Sequence, residues 1–185
     1  MDIPTPTATS RIMITLSVEN FNHISQRFYD DIISGLQFHR LTCPSCGHSG
    51  TLTRHAYYTR SIRTTDGIIP LRILRLKCSC GHTHAVLISS IVPYSRISLK
   101  DHIFIVSNGY EPDAVTKIQL SIPEISFWSI RSICRIFASY WKERLISFGI
   151  SLSDAGKLVF ECFHTFSRQF MQNHIGLNQL FLYPT

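Results

Sequence analysis

Cys43-Pro44-Ser45-Cys46-Gly47 and, farther on, Cys78-Ser79-Cys80-Gly81 decide how this 185-residue chain is read. Two cysteines on each of two tight turns offer four thiolates, and four sulfurs about 2.3 Å from a common centre form a structural zinc site. Pro44 fixes φ in the first turn, and Gly47 supplies the positive φ that lets backbone N–H groups face the sulfurs. The second turn is shorter, with only Ser79 between its cysteines. Either Cys80 completes the ligand set, or His82, His84 or His48 takes its place. Disulfides are the competing reading, but they suit an exported chain. Met1 and Asp2, followed by a Pro/Thr run, lack the basic and apolar regions of a signal peptide. The expectation is one structural Zn2+ held by Cys43, Cys46, Cys78 and Cys80. Cys134 and Cys162 lie in apolar stretches with helical spacing and read as packing residues.

Thirty-one residues separate Cys46 from Cys78. Within them Thr51 to Arg63 and Ile68 to Lys77 are rich in β-branched and aromatic residues and flank Thr65-Asp66-Gly67. Asp-Gly is a strong hairpin signal because glycine supplies the left-handed conformation the turn needs. A metal at the base of a projecting β-hairpin is the layout of a zinc ribbon. His84 to Val92 reads as a further strand.

The whole chain carries 18 Lys and Arg against 12 Asp and Glu. Residues 40 to 100 hold nine cations (Arg40, Arg54, Arg60, Arg63, Arg72, Arg75, Lys77, Arg96, Lys100) and one acid, Asp66, a local excess of +8. A solvated basic face is the plain explanation of such a run. Its concentration beside the cysteines, and the planar guanidinium fork that matches phosphate, point instead to nucleic acid, duplex DNA above all. Arg54, Arg60, Arg63, Arg72, Arg75 and Lys77 are the expected phosphate contacts.

Outside this segment the chain reads as a flexible arm (Met1 to Ser10), a strand (Arg11 to Val18) and a helix (Phe21 to Phe38) before the cysteines. After them come helices capped by Ser98, opened by Pro112 and Asp113, and running from Glu124 to Phe148. Gly109 is expected as a left-handed stop, and Ser121 to Glu124 has capping-box spacing. Three helices with a short last turn fit a helix-turn-helix, in which Ser126, Ser129 and Arg131 would contact DNA; an ordinary three-helix core fits equally. Ser153 is expected to cap a last helix, Ala155 to Asn173, whose Phe160, Phe163, Phe166, Phe170 and Met171 form either core or a surface for a protein partner or self-association. The fold class is α+β. Its segments are 1–39 (arm, strand and helix), 40–97 (zinc ribbon), 98–150 (three helices) and 151–185 (helical tail). Hydrophobic residues make up 44% of the chain, without a membrane-spanning run, so a cytoplasmic protein is expected.

Cys-Pro-Ser-Cys-Gly, the Arg/Tyr hairpin, and Leu-Lys-Cys-Ser-Cys-Gly-His-Thr-His-Ala-Val-Leu with Val-Pro-Tyr-Ser resemble a bacterial zinc-ribbon domain of unknown function. That domain occurs in proteins linked to mobile elements and is similar to the N-terminal zinc-binding domain of one transposase family. The resemblance covers about residues 38 to 110 and implies zinc and DNA binding. A large catalytic domain follows in related transposases; this chain has no room for one and no clustered carboxylates. The expected function is therefore that of a DNA-binding accessory or regulatory protein, with a zinc-stapled protein-interaction module as the alternative and no enzymatic activity.

Overall fold

The computed structural model describes residues 13–21, 23–109, 111, 113–122, 124–172 and 179–182. Its elements in chain order are β1 (Met13–Leu16), α1 (Gln26–Ser34), a 3-10 turn (Phe38–Arg40), β2 (Leu52–Thr64), β3 (Gly67–Cys78), β4 (Thr83–Ile88), α2 (Leu99–Asn108), α3 (Ala114–Ser121), α4 (Phe127–Ile136), a π-helical turn (Phe137–Trp141), α5 (Lys142–Ser147), α6 (Ala155–Phe166) and β5 (Gln179–Leu182). The expected arm, the start of the first expected strand, Pro112 and Asn173 lie outside the described residues.

The Asp66-Gly67 turn closes the β2–β3 hairpin with Thr64 opposite Gly67, and Gly67 has φ of 120°. The Cys78–Gly81 turn is itself a hairpin connection, since Lys77 then pairs with Thr83 and Arg75 with Ala85. One sheet of order β2-β3-β4-β1-β5 results. β1 runs parallel to both β4 and β5, and all four of its residues are buried. A central strand covered on both faces needs no alternation of apolar and polar residues. The sheet thus takes strands from residues 13–16, 52–88 and 179–182, across the segment boundaries at 39/40 and 150/151.

α1 is shorter than Phe21 to Phe38. Ser25 caps it by accepting from Phe28 N–H, leaving Phe21 and Ile24 in the preceding loop, and its buried residues are Tyr29 and Ile33. Tyr29 fills the gap where β3 and β4 diverge: its hydroxyl donates to Val86 O at 2.9 Å and accepts from Leu74 N–H at 2.9 Å. Gln26 serves the next residue pair along, its Oε1 accepting from Arg72 N–H at 2.6 Å. Tyr29 therefore satisfies strand backbone that would otherwise be buried without partners, and Gln26 does the same for an exposed position.

Ser98 caps α2 as expected, accepting from Asp101 N–H, but Gly109 is right-handed, with φ of −68°. A Cβ at Gly109 would stand 2.4 Å from Cys134 Sγ, so close approach to α4, not backbone handedness, calls for glycine there. The long third helix starts at Phe127, later than expected. Ser126 is its cap, Ser121 ends α3, and Glu124 lies between them with φ of 59°. Ile130, Ile133, Phe137, Trp141 and Leu145 are buried along it, whereas Phe127 is exposed. α6 is capped by Asp154, not Ser153, and ends at Phe166 on left-handed Ser167. Phe170 and Met171 are buried beyond the helix, and the Trp141 ring meets Phe170 edge-on at 5.3 Å and Phe166 at 6.0 Å. Phe160 is instead exposed.

Candidate metal centre and cationic hairpin

Both cysteine turns use the same backbone device. In the first, Cys43 N–H donates to His48 O at 2.8 Å and Gly47 N–H to Cys43 O at 2.8 Å; in the second, Cys78 N–H donates to His82 O at 3.0 Å and Gly81 N–H to Cys78 O at 2.9 Å. Gly47 and Gly81 have φ of 75° and 90°. The second turn is the first with one residue removed, which is how the shorter Cys-Ser-Cys spacing still places two sulfurs. Leu52 pairs with Cys78, and this brings the first turn, just ahead of β2, against the second.

The sulfurs of Cys43, Cys46, Cys78 and Cys80 all lie within 4.8 Å of one another, with Cys43–Cys80 at 3.9 Å and Cys46–Cys78 at 3.6 Å. Four thiolates about 2.3 Å from one ion at the corners of a regular tetrahedron would be about 3.8 Å apart, so the donor set fits a single metal ion. The histidines stand around this set. His84 is fully buried with Nε2 3.4 Å from Cys43 Sγ, and His82 Nδ1 is 3.4 Å from Cys80 Sγ. Thr51, to which no sequence signal pointed, places Oγ1 3.1 Å from Cys78 Sγ. Burial opposes ionisation of Cys78, but hydrogen bonds from Thr51, from the Cys80 backbone and from neighbouring thiols outweigh it and hold that thiol at about 5. At Cys80 the His82 backbone N–H favours the thiolate, yet the Cys78 sulfur beside it pushes the thiol up to about 12. Sulfurs this close cannot all carry charge without a cation among them. Cys162, by contrast, is a buried packing residue whose thiol burial pushes up to about 12.

The hairpin does not project freely. Its turn end is clasped to the body, with Arg63 N–H donating to Arg96 O at 2.6 Å and Ser98 N–H to Arg63 O at 3.1 Å. Arg60 donates to Val92 O at 2.7 Å and also to Ser95 O, and Arg63 donates to Glu124 O. Arg60 pairs with Leu71 and therefore shares a face with Ile62, Leu71 and Ile73, all fully buried. That face turns inward, which corrects its place among solvent-facing phosphate contacts. The buried side then changes over at Ile73 and Leu74, because the helical body covers one face near the turn and α1 covers the other near the cysteines. Arg54, Arg72, Arg75 and Lys77 remain exposed. The guanidinium of Arg72 lies over Tyr57 at 5.1 Å, Arg75 over Tyr58 at 4.7 Å and Arg54 over Phe38 at 5.0 Å. The extra residue His55 in β2 sets Arg54 opposite Leu76. Arg54 and Arg72 consequently lie on one face of the ribbon, and Arg75 and Lys77 on the other. On α4, Arg131 is exposed and lies over Phe127 at 5.5 Å.

These observations define an α+β chain whose four clustered cysteines could hold one metal ion at the base of a cationic hairpin. Residues 43–123 match the domain of unknown function DUF6431. The matched stretch runs from the first cysteine turn through α3 and leaves β1, α1 and everything from α4 onward outside it. It brings a domain of unknown function and no link to transposases. No curated protein matches the chain. No solved structure matches it. Among the described residues no helix is long and apolar enough to cross a membrane.

Proposed function

We propose that this chain binds duplex DNA through the β2–β3 ribbon, with one structural zinc ion held by Cys43, Cys46, Cys78 and Cys80. An all-sulfur donor set at tetrahedral spacing suits zinc, and four thiolates leave no open position for substrate, so the metal's role in this reading is structural and not catalytic. Zinc would neutralise the sulfurs and tie the two turns together. The protein's own residues do the rest: Thr51 and the backbone N–H groups orient the sulfurs, while Tyr57, Tyr58 and Phe38 hold three guanidinium groups over their rings.

The carrying observation is the placement of four exposed cations on both faces of an edge ribbon within a segment of local charge +8. The major groove is about 12 Å wide and admits a two-stranded ribbon. β4 pairs with β3 at Arg75 to Lys77 and α1 lies on one face, so the approach is by the free β2 edge, from which cations on either face reach toward the phosphates that flank the groove. Duplex binding measured over a salt series tests this. Arg72→Ala and Arg75→Ala, from opposite faces, should each lower the slope of log K against log salt by about 0.9. A wild-type affinity indifferent to salt sinks the reading.

A protein-interaction module is the second reading. Phe166 at the end of α6 and Phe170 beyond it turn inward on Trp141, which draws these two rings of the expected stripe away from solvent, while Phe160 stays exposed. Leu120, Trp128, Ile146 and Phe148, on and beside α3 to α5, are exposed instead. A stable oligomer indifferent to DNA, made monomeric by Trp128→Ser with Ile146→Ser, would favour this reading.

A further inference from the structure

Among the described residues four non-glycines have positive φ: Tyr94 (61°), Glu124 (59°), Ser167 (52°) and Met171 (64°). Ser167 is the stop of α6, a local reason for its conformation. The other three come from separate parts of the chain, yet all line one cavity of about 440 Å³ between the clasped end of β2, the loop after β4 and the start of α4. Side chains rarely adopt this backbone region, and clusters of such residues mark places where ligands are held. Two arginines, Arg63 and Arg96, also line the cavity, as do Ser126, Ser129 and Ser132 from the first turns of α4. Glu124 is the carboxylate in the lining; its side chain is 73% exposed and its Oε2 lies 4.0 Å from Arg63.

We propose that this cavity is a binding site for a phosphate ester. Arg63 already donates to Glu124 O, and the Ser126 and Ser129 hydroxyls share one hydrogen bond at 2.9 Å, but the remaining guanidinium N–H groups, with Arg96 and Ser132, still match the three or four acceptors of a phosphate tetrahedron better than the two oxygens of a carboxylate. The N-terminus of α4 adds partial positive charge on the same side. Tyr94, 40% exposed, stands in the wall as a ring on which a planar group can lie. The volume falls within the range of small-molecule sites and suits an ester of roughly nucleoside-monophosphate size. The site uses neither the four exposed hairpin cations nor the metal centre, so it stands or falls separately from the DNA reading.

The test titrates the full, metal-loaded, 15N-labelled chain with inorganic phosphate, AMP and acetate while following the amide signals of Tyr94 and Ser126 to Ser129. Phosphate and AMP should give saturable shifts there, AMP at lower concentration, with acetate ineffective. Arg96→Ala, at an exposed position, should weaken both by about tenfold, and Ser129→Ala should weaken them as well. Arg135→Ala, outside the cavity, should leave them unchanged. Duplex DNA that displaces phosphate assigns the ester to a nucleic-acid backbone, and AMP binding that DNA leaves intact assigns it to a small molecule. The proposal is overturned if no saturable shift is seen up to about 10 mM, ten times the concentration that half-fills a 1 mM site. It is equally overturned if acetate matches phosphate, or if Arg96→Ala and Ser129→Ala change nothing.

Discussion

Replacing Arg60 with methionine separates folding from the proposed DNA contact on the hairpin. The substitution keeps most of the side-chain stem and removes the guanidinium that donates to Val92 O at 2.7 Å and to Ser95 O. Each hydrogen bond from a charged donor contributes about 1.5 to 3 kcal/mol, and the lower figure applies because the site is not wholly shut off from water. Losing both should cost about 3 kcal/mol, a large share of the 5 to 15 kcal/mol that holds a typical domain together. At roughly 2 to 4 °C per kcal/mol for a chain of this size, the melting temperature should fall by about 6 to 12 °C. The comparison is Arg75→Ala, where the guanidinium is exposed and lies 4.7 Å from the Tyr58 centroid. That change should cost about 1 kcal/mol or less in stability while lowering the salt slope of DNA binding by about 0.9. Urea unfolding of the metal-loaded variants and a salt series on one duplex supply both numbers. If Arg60→Met proves as stable as the parent and lowers the slope instead, Arg60 is a phosphate contact and its inward assignment is wrong.

Tyr29→Phe removes the hydroxyl that joins Leu74 N–H to Val86 O, and urea unfolding should show a loss of about 2 to 4 kcal/mol because two buried backbone groups are left unpaired; the control Tyr57→Phe, at an exposed ring, should change little. Burial holds the His102 imidazole at about 4, below its unfolded value near 6.5. Its contribution is therefore fully present above about pH 6.5 and is lost as pH falls toward 4, by about 3 kcal/mol in all. Thermal melts between these limits should flatten in a His102→Leu variant relative to the parent. Metal analysis should find one zinc per chain, lost in Cys80→Ser and retained in His82→Ala; retention in Cys80→Ser would move the fourth ligand to a histidine. Chelation of the parent should unfold the region around the two turns, since apparent zinc affinities of about 10 to 16 kcal/mol are folding energy in such sites.

The cysteine turns were legible because their chemistry is local: a cysteine pair, a glycine at positive φ, and Asp66-Gly67 to return the chain between them. Ser98 was legible for the same reason, its hydroxyl needing only the N–H three residues on. The parallel pairing of β1 with β4 left no such mark, since Met13 and Ala85 meet across seventy-two positions of chain and parallel strands share no turn. Tyr29 was invisible as a bridge because its role exists only once two strands have diverged. The hairpin cations fall between these cases. Their number and sign could be read directly, but where each one points depends on sheet parity, and His55 changes that parity between Arg54 and the rest of β2. What covers each face depends in turn on α1 and the helical body, which lie outside the hairpin altogether. Net charge alone therefore gave no sign that the Arg60 guanidinium serves two backbone carbonyls. Arg63, another of the expected contacts, borders the cavity at the start of α4, where the positive φ of Tyr94, Glu124 and Met171 converges. Positive φ at non-glycine residues has no signature in composition or periodicity, because it is imposed by surroundings that override the residue's own preference. A site built on such conformations can be found only after the chain has folded.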